Sequence, residues 1–118
     1  MSTRAQVRFA TREEGVSFSE HPEKFHAQFY VHSDGYPEGL GVEIAESLLY
    51  SYKLFGWEIE YLDTKRGDLE FIYYIWQAVD KTTWISIFEC KPFVDKIGKC
   101  IFVGEPRKLI EKYDKERD

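Results

Sequence analysis

The stretch His32-Ser33-Asp34-Gly35-Tyr36-Pro37-Glu38-Gly39-Leu40-Gly41 gathers a histidine, two carboxylates, a tyrosine and three glycines within ten residues. Imidazole nitrogens and carboxylate oxygens are ligands for divalent metals. A metal held by His32, Asp34 and Glu38, with His26 on the same strand face, would activate water for attack on a bond. One reading of the chain is therefore a metal-assisted hydrolase centred on His32, Asp34 and Glu38. A phosphate cradle is the other chemistry suggested by glycines leading into a helix. The stretch is neither GxxxxGK[ST] nor GxGxxG, and Asp34 and Glu38 repel phosphate. No serine or cysteine nucleophile has a partner legible in the sequence.

The same residues also read as a backbone device. Asp34-Gly35 is a turn signal, because glycine tolerates positive φ and aspartate bonds its own downstream backbone. This predicts Gly35 at positive φ. Pro37 fixes its own φ and pushes Tyr36 toward an extended conformation, with a cis bond between them as the minority case. Gly39 and Gly41 let the chain bend before a helix. A rigid strand-to-helix elbow thus accounts for every residue except His32, Tyr36 and Glu38. Any binding by His32, Asp34, Tyr36 and Glu38 would be built on that rigidity, since loops on rigid scaffolds carry function disproportionately.

His32-Ser33-Asp34-Gly35-Tyr36-Pro37-Glu38-Gly39, followed by Gly41, resembles the HxDGYPxG signature of small, uncharacterised proteins of phages and prophages. The match extends to a rough order of strand, loop, helix and tyrosine-rich strand, here Phe71-Ile72-Tyr73-Tyr74. The resemblance implies no activity, catalytic residue or cofactor. It favours an accessory or host-interaction protein over a metabolic enzyme.

The elements that must position this loop follow from apolar spacing. Ala5, Val7 and Phe9 alternate with Gln6, Arg8 and Ala10, which is strand periodicity. Val16 and Phe18 suggest a short edge strand within a polar connection. In the next strand, residues 25–32, Phe25, Ala27, Phe29 and Val31 face the core. His26, Gln28, Tyr30 and His32 face a wetter side. Ile44, Ala45, Leu48, Leu49, Tyr52 and Phe55 form one stripe of a helix over 40–55, with Gly56 as its stop. Residues 57–62 alternate again. Residues 69–79 and 82–90 make a hairpin whose first strand is apolar on both faces. Residues 99–103 give a short last strand, and Pro106 opens a C-terminal helix with Leu109, Ile110 and Tyr113 as its stripe.

The expected fold is one α+β domain over residues 1–118: a mostly antiparallel sheet of about five or six strands, one long helix across a face, and a short C-terminal helix. Aromatic residues at 17% fit a sheet-rich chain. With Leu69, Phe71, Tyr73 and Ile75 under the long helix, Tyr74 and Trp76 point away from it, and Tyr30 extends that side. Either the C-terminal helix covers this aromatic face, or it is open to a partner. The leading reading is a small non-catalytic binding protein acting through that face and the 32–41 loop. Its partner would be a protein or small ligand, and it would form a homodimer through Tyr74 and Trp76.

A net charge of −5 disfavours a nucleic-acid partner. No run approaches the roughly 20 apolar residues of a membrane-spanning helix, and the N-terminal residues lack a signal-peptide core, so a cytoplasmic setting is expected. In that setting Cys90 and Cys100 are expected as free thiols.

Overall fold

The computed structural model describes residues 3–11, 22, 24–50, 57–77, 80–91 and 97–114. The fold is α+β, as the apolar spacing predicts. Its strands are β1 (Ala5–Thr11), β2 (Phe25–Val31), β3 (Trp57–Glu60), β4 (Phe71–Gln77), β5 (Thr83–Cys90) and β6 (Ile97–Gly104). Between β2 and β3 lies a helix over 37–50. Its first turn, Pro37–Gly41, is π-wound, and the rest, Val42–Tyr50, is α1. Helix α2 (Pro106–Tyr113) ends the described chain. The edge strand expected around Val16 and Phe18, and the helix end at Tyr52, Phe55 and Gly56, lie outside the described residues. No helix among the described residues is long and apolar enough to cross a membrane.

The strands lie in the order β3-β2-β1-β4-β5-β6. Every neighbouring pair is antiparallel except β1 and β4, which run parallel from Ala5↔Phe71 to Thr11↔Gln77. Period-two alternation sends Ala5, Val7, Val31, Tyr73, Ile75, Ile85 and Ile87 to one face. There they meet Leu40, Val42, Ile44 and Ala45 of the long helix and Leu109 and Ile110 of α2. Both helices therefore cover the same face. A Cβ on Gly41 would stand 3.4 Å from Tyr73 and 3.5 Å from Leu109, ordinary van der Waals contact that does not demand glycine. Gly41 lies inside the helix and makes no bend before it.

The second face carries no helix among the described residues, yet it is interior. Tyr74 is 0% and Trp76 2% exposed, and Tyr30 and Phe88 are also buried. Trp76 Nε1 donates to Ser86 Oγ at 2.8 Å, and its ring stacks on Trp84 at 5.5 Å. The open aromatic face expected from the sequence is thus corrected: Tyr74 and Trp76 lie in the interior. The cover over β1 and β2 is the β3–β4 connection. Because β3 and β4 are separated in the sheet by β2 and β1, residues 61–70 must cross both strands. Backbone oxygens of Tyr61 and Thr64 lie against Gln28 of β2, and Thr64 also against Gln6 of β1. The Arg4–Asp68 ion pair at 3.1 Å and the Glu70 N–H bond to Arg4 O at 2.9 Å tie down its far end.

Two side chains change face relative to simple alternation. A register shift between Phe9 and Ala10 pairs Ala10 with Phe25, and Phe25 joins the second face. Leu69 precedes β4 and also packs there. Such bulges re-aim a side chain in a way that alternation cannot foresee.

Burial of Trp76 sets an expected outcome. Trp76→Glu buries a carboxylate in an apolar cluster beside the Ser86 hydroxyl, so it should unfold the protein or cost about 3 kcal/mol or more. Trp76→Phe should cost clearly less. Denaturant titration of both variants reads the difference; a Trp76→Glu protein as stable as wild type would show that the face is not interior.

Candidate functional site

The elbow is built by three close contacts. The Gly35 N–H donates to Thr3 O at 2.9 Å, and the Tyr73 hydroxyl donates to Gly35 O at 2.6 Å. A Cβ on Gly35 would stand 2.8 Å from Ala5 Cβ and 2.9 Å from Thr3 O. Glycine is required here by this close approach to β1. The positive φ falls on Asp34, at 59°, correcting its expected place at Gly35. Aspartate tolerates that region better than most residues. The Tyr36–Pro37 bond is trans, as no described peptide is cis. Tyr36 caps the helix in an extended conformation with Pro37 in the first turn, and Leu40 N–H lies 3.0 Å from both Asp34 O and Tyr36 O. The strand therefore turns into the helix with its backbone groups paired.

The side chains of the elbow divide between two environments. His32, Asp34, Tyr36 and Glu38 are all exposed. His32 Nδ1 lies 3.4 Å from the Tyr30 hydroxyl, on the second face. Glu38 acts on the helix side. Burial, and after it the charge of Glu38, holds the Tyr73 hydroxyl well above its ordinary pKa; the same two causes, in the same order, raise Tyr113. His32 and Glu38 thus serve different neighbourhoods. Among the described residues no three His, Cys, Asp or Glu side chains are grouped so as to hold a metal ion.

Tyr30 opens a polar chain across the second face. The Arg66 guanidinium sits 3.5 Å over the Tyr30 ring, and Arg66 Nε pairs with Glu60 Oε2. Glu60 Oε1 accepts from Gln6 Nε2 at 3.0 Å and Gln28 Nε2 at 3.2 Å. Arg8 donates to Gln28 Oε1 at 2.9 Å, to Gln6 Oε1 at 3.1 Å and to the Tyr74 hydroxyl at 2.7 Å, and lies 4.3 Å over Phe25. Burial raises the Tyr74 pKa, and the neighbouring Arg8 opposes that shift. Cys90, an unbridged thiol like Cys100, is likewise raised by burial. Gln6 and Gln28 are buried, so this side is not the wetter face that alternation suggested. Its groups satisfy one another and the crossing backbone, which is a structural task.

Of the seven side chains singled out by sequence, Tyr30, Tyr74 and Trp76 belong to the interior, and His32, Asp34, Tyr36 and Glu38 to the surface. The feature sequence reasoning missed is the outer edge of β3. Among the described residues strand β3 pairs only with β2, from Gln28↔Glu60 to Val31↔Trp57. Ile59 is 85%, Tyr61 84% and Leu62 48% exposed. Trp57 Nε1 is the buried side-chain donor without a hydrogen-bond partner among the described residues, and it lies on this strand. The alternation of Trp57, Ile59 and Tyr61 against Glu58 and Glu60 is visible in the sequence. That the strand lies at an edge, beyond the reach of the helices, is not. The elbow lies at the Trp57 end of β3, because Val31, the partner of Trp57, is followed directly by His32, whereas Tyr61 and Leu62 lie past the Glu60 end.

Two outcomes test the elbow. Gly35→Ala should destabilise by about 1–3 kcal/mol through overpacking against β1, whereas Asp34→Asn should be nearly neutral because asparagine keeps the left-handed conformation. Thermal melts compare the two; a Gly35→Ala protein that melts like wild type would contradict the close approach. The second concerns pH. A tyrosine whose folded pKa is raised contributes stability that is complete below about pH 10 and is lost as pH rises above that value. Stability should therefore fall above about pH 10, less steeply in Tyr73→Phe than in wild type, when denaturation midpoints are followed against pH.

Comparison with protein-family models, with curated proteins and with solved structures finds no match to this chain.

Proposed function

We propose that this chain is a small non-catalytic binding protein that engages a protein partner through the outer edge of β3 and the exposed residues just past it, with the elbow presenting His32, Asp34, Tyr36 and Glu38 beyond the Trp57 end of that strand. The observation that carries this reading is the exposure of Ile59 on a strand with no outer neighbour among the described residues, with Tyr61 and Leu62 exposed just past its end. Apolar side chains scattered singly need no explanation, but three within four residues at the end of an edge strand do. The elbow supports the reading because its backbone is fixed by Thr3, Ala5 and Tyr73, so its exposed side chains meet a partner with little ordering cost. The resemblance of the 32–41 stretch to small phage and prophage proteins points the same way, to an accessory or host-interaction role.

A photo-crosslinking side chain placed at position 61, in cells of the protein's source, should trap a partner that the same group at position 111 on α2 does not trap. The purified partner should then bind the wild type and lose at least about tenfold in affinity to an Ile59→Lys variant. Equal trapping from both positions, or binding indifferent to Ile59→Lys, would overturn the reading.

A further inference from the structure

The same strand indicates how a partner would bind and what chemistry it would carry, an inference that rests on the binding reading above. We infer that the outer edge of β3 accepts an extended segment of the partner as an added strand, one that bears lysine or arginine at the position facing Glu58 and an apolar residue facing Ile59.

The backbone supplies the first argument. Among the described residues β3 is paired on its inner side only, which leaves alternate N–H and C=O groups on its outer side for a partner. Sheet edges are commonly blunted by shortness, charge, proline or a bulge, and β3, four residues long with Glu58 and Glu60, has the first two. Residues 57–62, Trp-Glu-Ile-Glu-Tyr-Leu, contain neither lysine nor proline, and the β2–β3 register is regular.

The side chains supply the second. Ile59 lies opposite Phe29, and Trp57 opposite Val31, both on the helix side of the sheet. Glu58 lies opposite Tyr30 and Glu60 opposite Gln28, both on the second face. A strand laid along this edge therefore meets apolar groups on one face and carboxylates on the other. Glu60 is already paired with Arg66, whereas Glu58 is exposed. A cation beside Glu58 gains a cross-strand pair, and an anion there is repelled.

Charge also selects between occupants. Residues 57–63 carry Glu58, Glu60 and Asp63 and no basic residue. Two copies of β3 laid edge to edge would set acid against acid on the second face. A short basic segment meets this charge constraint, and its mode of binding is strand addition.

The probe is a short peptide alternating lysine and valine, followed by backbone amide NMR shifts of the isotope-labelled protein. Three comparisons accompany it: the same peptide N-methylated at alternate residues, a glutamate–valine peptide, and the Glu58→Lys variant. The inference expects shifts centred on residues 57–62 with the lysine peptide, at least about tenfold weaker binding of the other two peptides, and a reversed preference in Glu58→Lys. An N-methylated peptide that binds equally well overturns strand addition and leaves binding at this edge standing. Equal binding of the glutamate peptide overturns the charge assignment. Concentration-dependent shifts of the same amides without any peptide make a second copy the occupant and overturn the proposal. Silence of these amides toward every peptide also overturns it, while the crosslinking experiment at position 61 decides the binding reading independently.

Discussion

The fold depends on one crossing. Strands β3 and β4 are consecutive in the chain but separated in the sheet by β2 and β1, so residues 61–70 must pass over two strands. Irregular backbone laid on a sheet face brings carbonyls that water no longer reaches, and these need donors. Gln6 and Gln28 supply them, each donating toward the crossing segment. Glu60 is then held between the two glutamines and Arg66, and Arg66 lies over Tyr30. An unpaired carboxylate in this position would cost several kcal/mol, so the network stands or falls as a unit.

This crossing also explains what was legible in the sequence and what was not. Ala5, Val7 and Phe9 alternate cleanly, and Ile44, Ala45 and Leu109 stand at helical spacing, so the strands, both helices and the α+β class could be read directly. Local patterning carries such information because each element buries one face. Whether Tyr74 and Trp76 are inside or outside depends instead on what the whole chain packs against that face, and strand order is likewise a property of the whole chain. Gln6 and Gln28 look like a solvent face by type; the crossing segment laid against them makes them interior. The elbow shows the same division at smaller scale. Its existence follows from Asp34, Gly35 and Pro37. The exchange of roles between Asp34 and Gly35 follows from the nearness of Thr3 and Ala5, which lie some thirty residues earlier.

The two surfaces that carry the functional reading differ in physical character. The elbow is over-determined: Gly35 is pinned between β1 and Tyr73, and the helix begins immediately beyond it. The β3 edge is under-determined: among the described residues its four residues are paired on one side only, and the Trp57 indole N–H finds no acceptor there. Rigid presentation beside an unsatisfied edge suits recognition, because the fixed part orients a partner and the open part supplies its contacts.

The parallel pairing of β1 with β4 has a consequence for how the chain reaches this state. Ala5 finds one neighbour in Val31 and the other in Phe71, so the middle of the sheet joins segments remote in sequence. Strands β4, β5 and β6 are consecutive neighbours and can associate through short connections, whereas β1 must wait for a long loop to close. Non-local pairing of this kind slows folding. During synthesis the first strand leaves the ribosome long before its parallel partner exists, with one of its edges open to any other strand that passes. A strand paired on both sides in the finished sheet is, for that interval, an adhesive one.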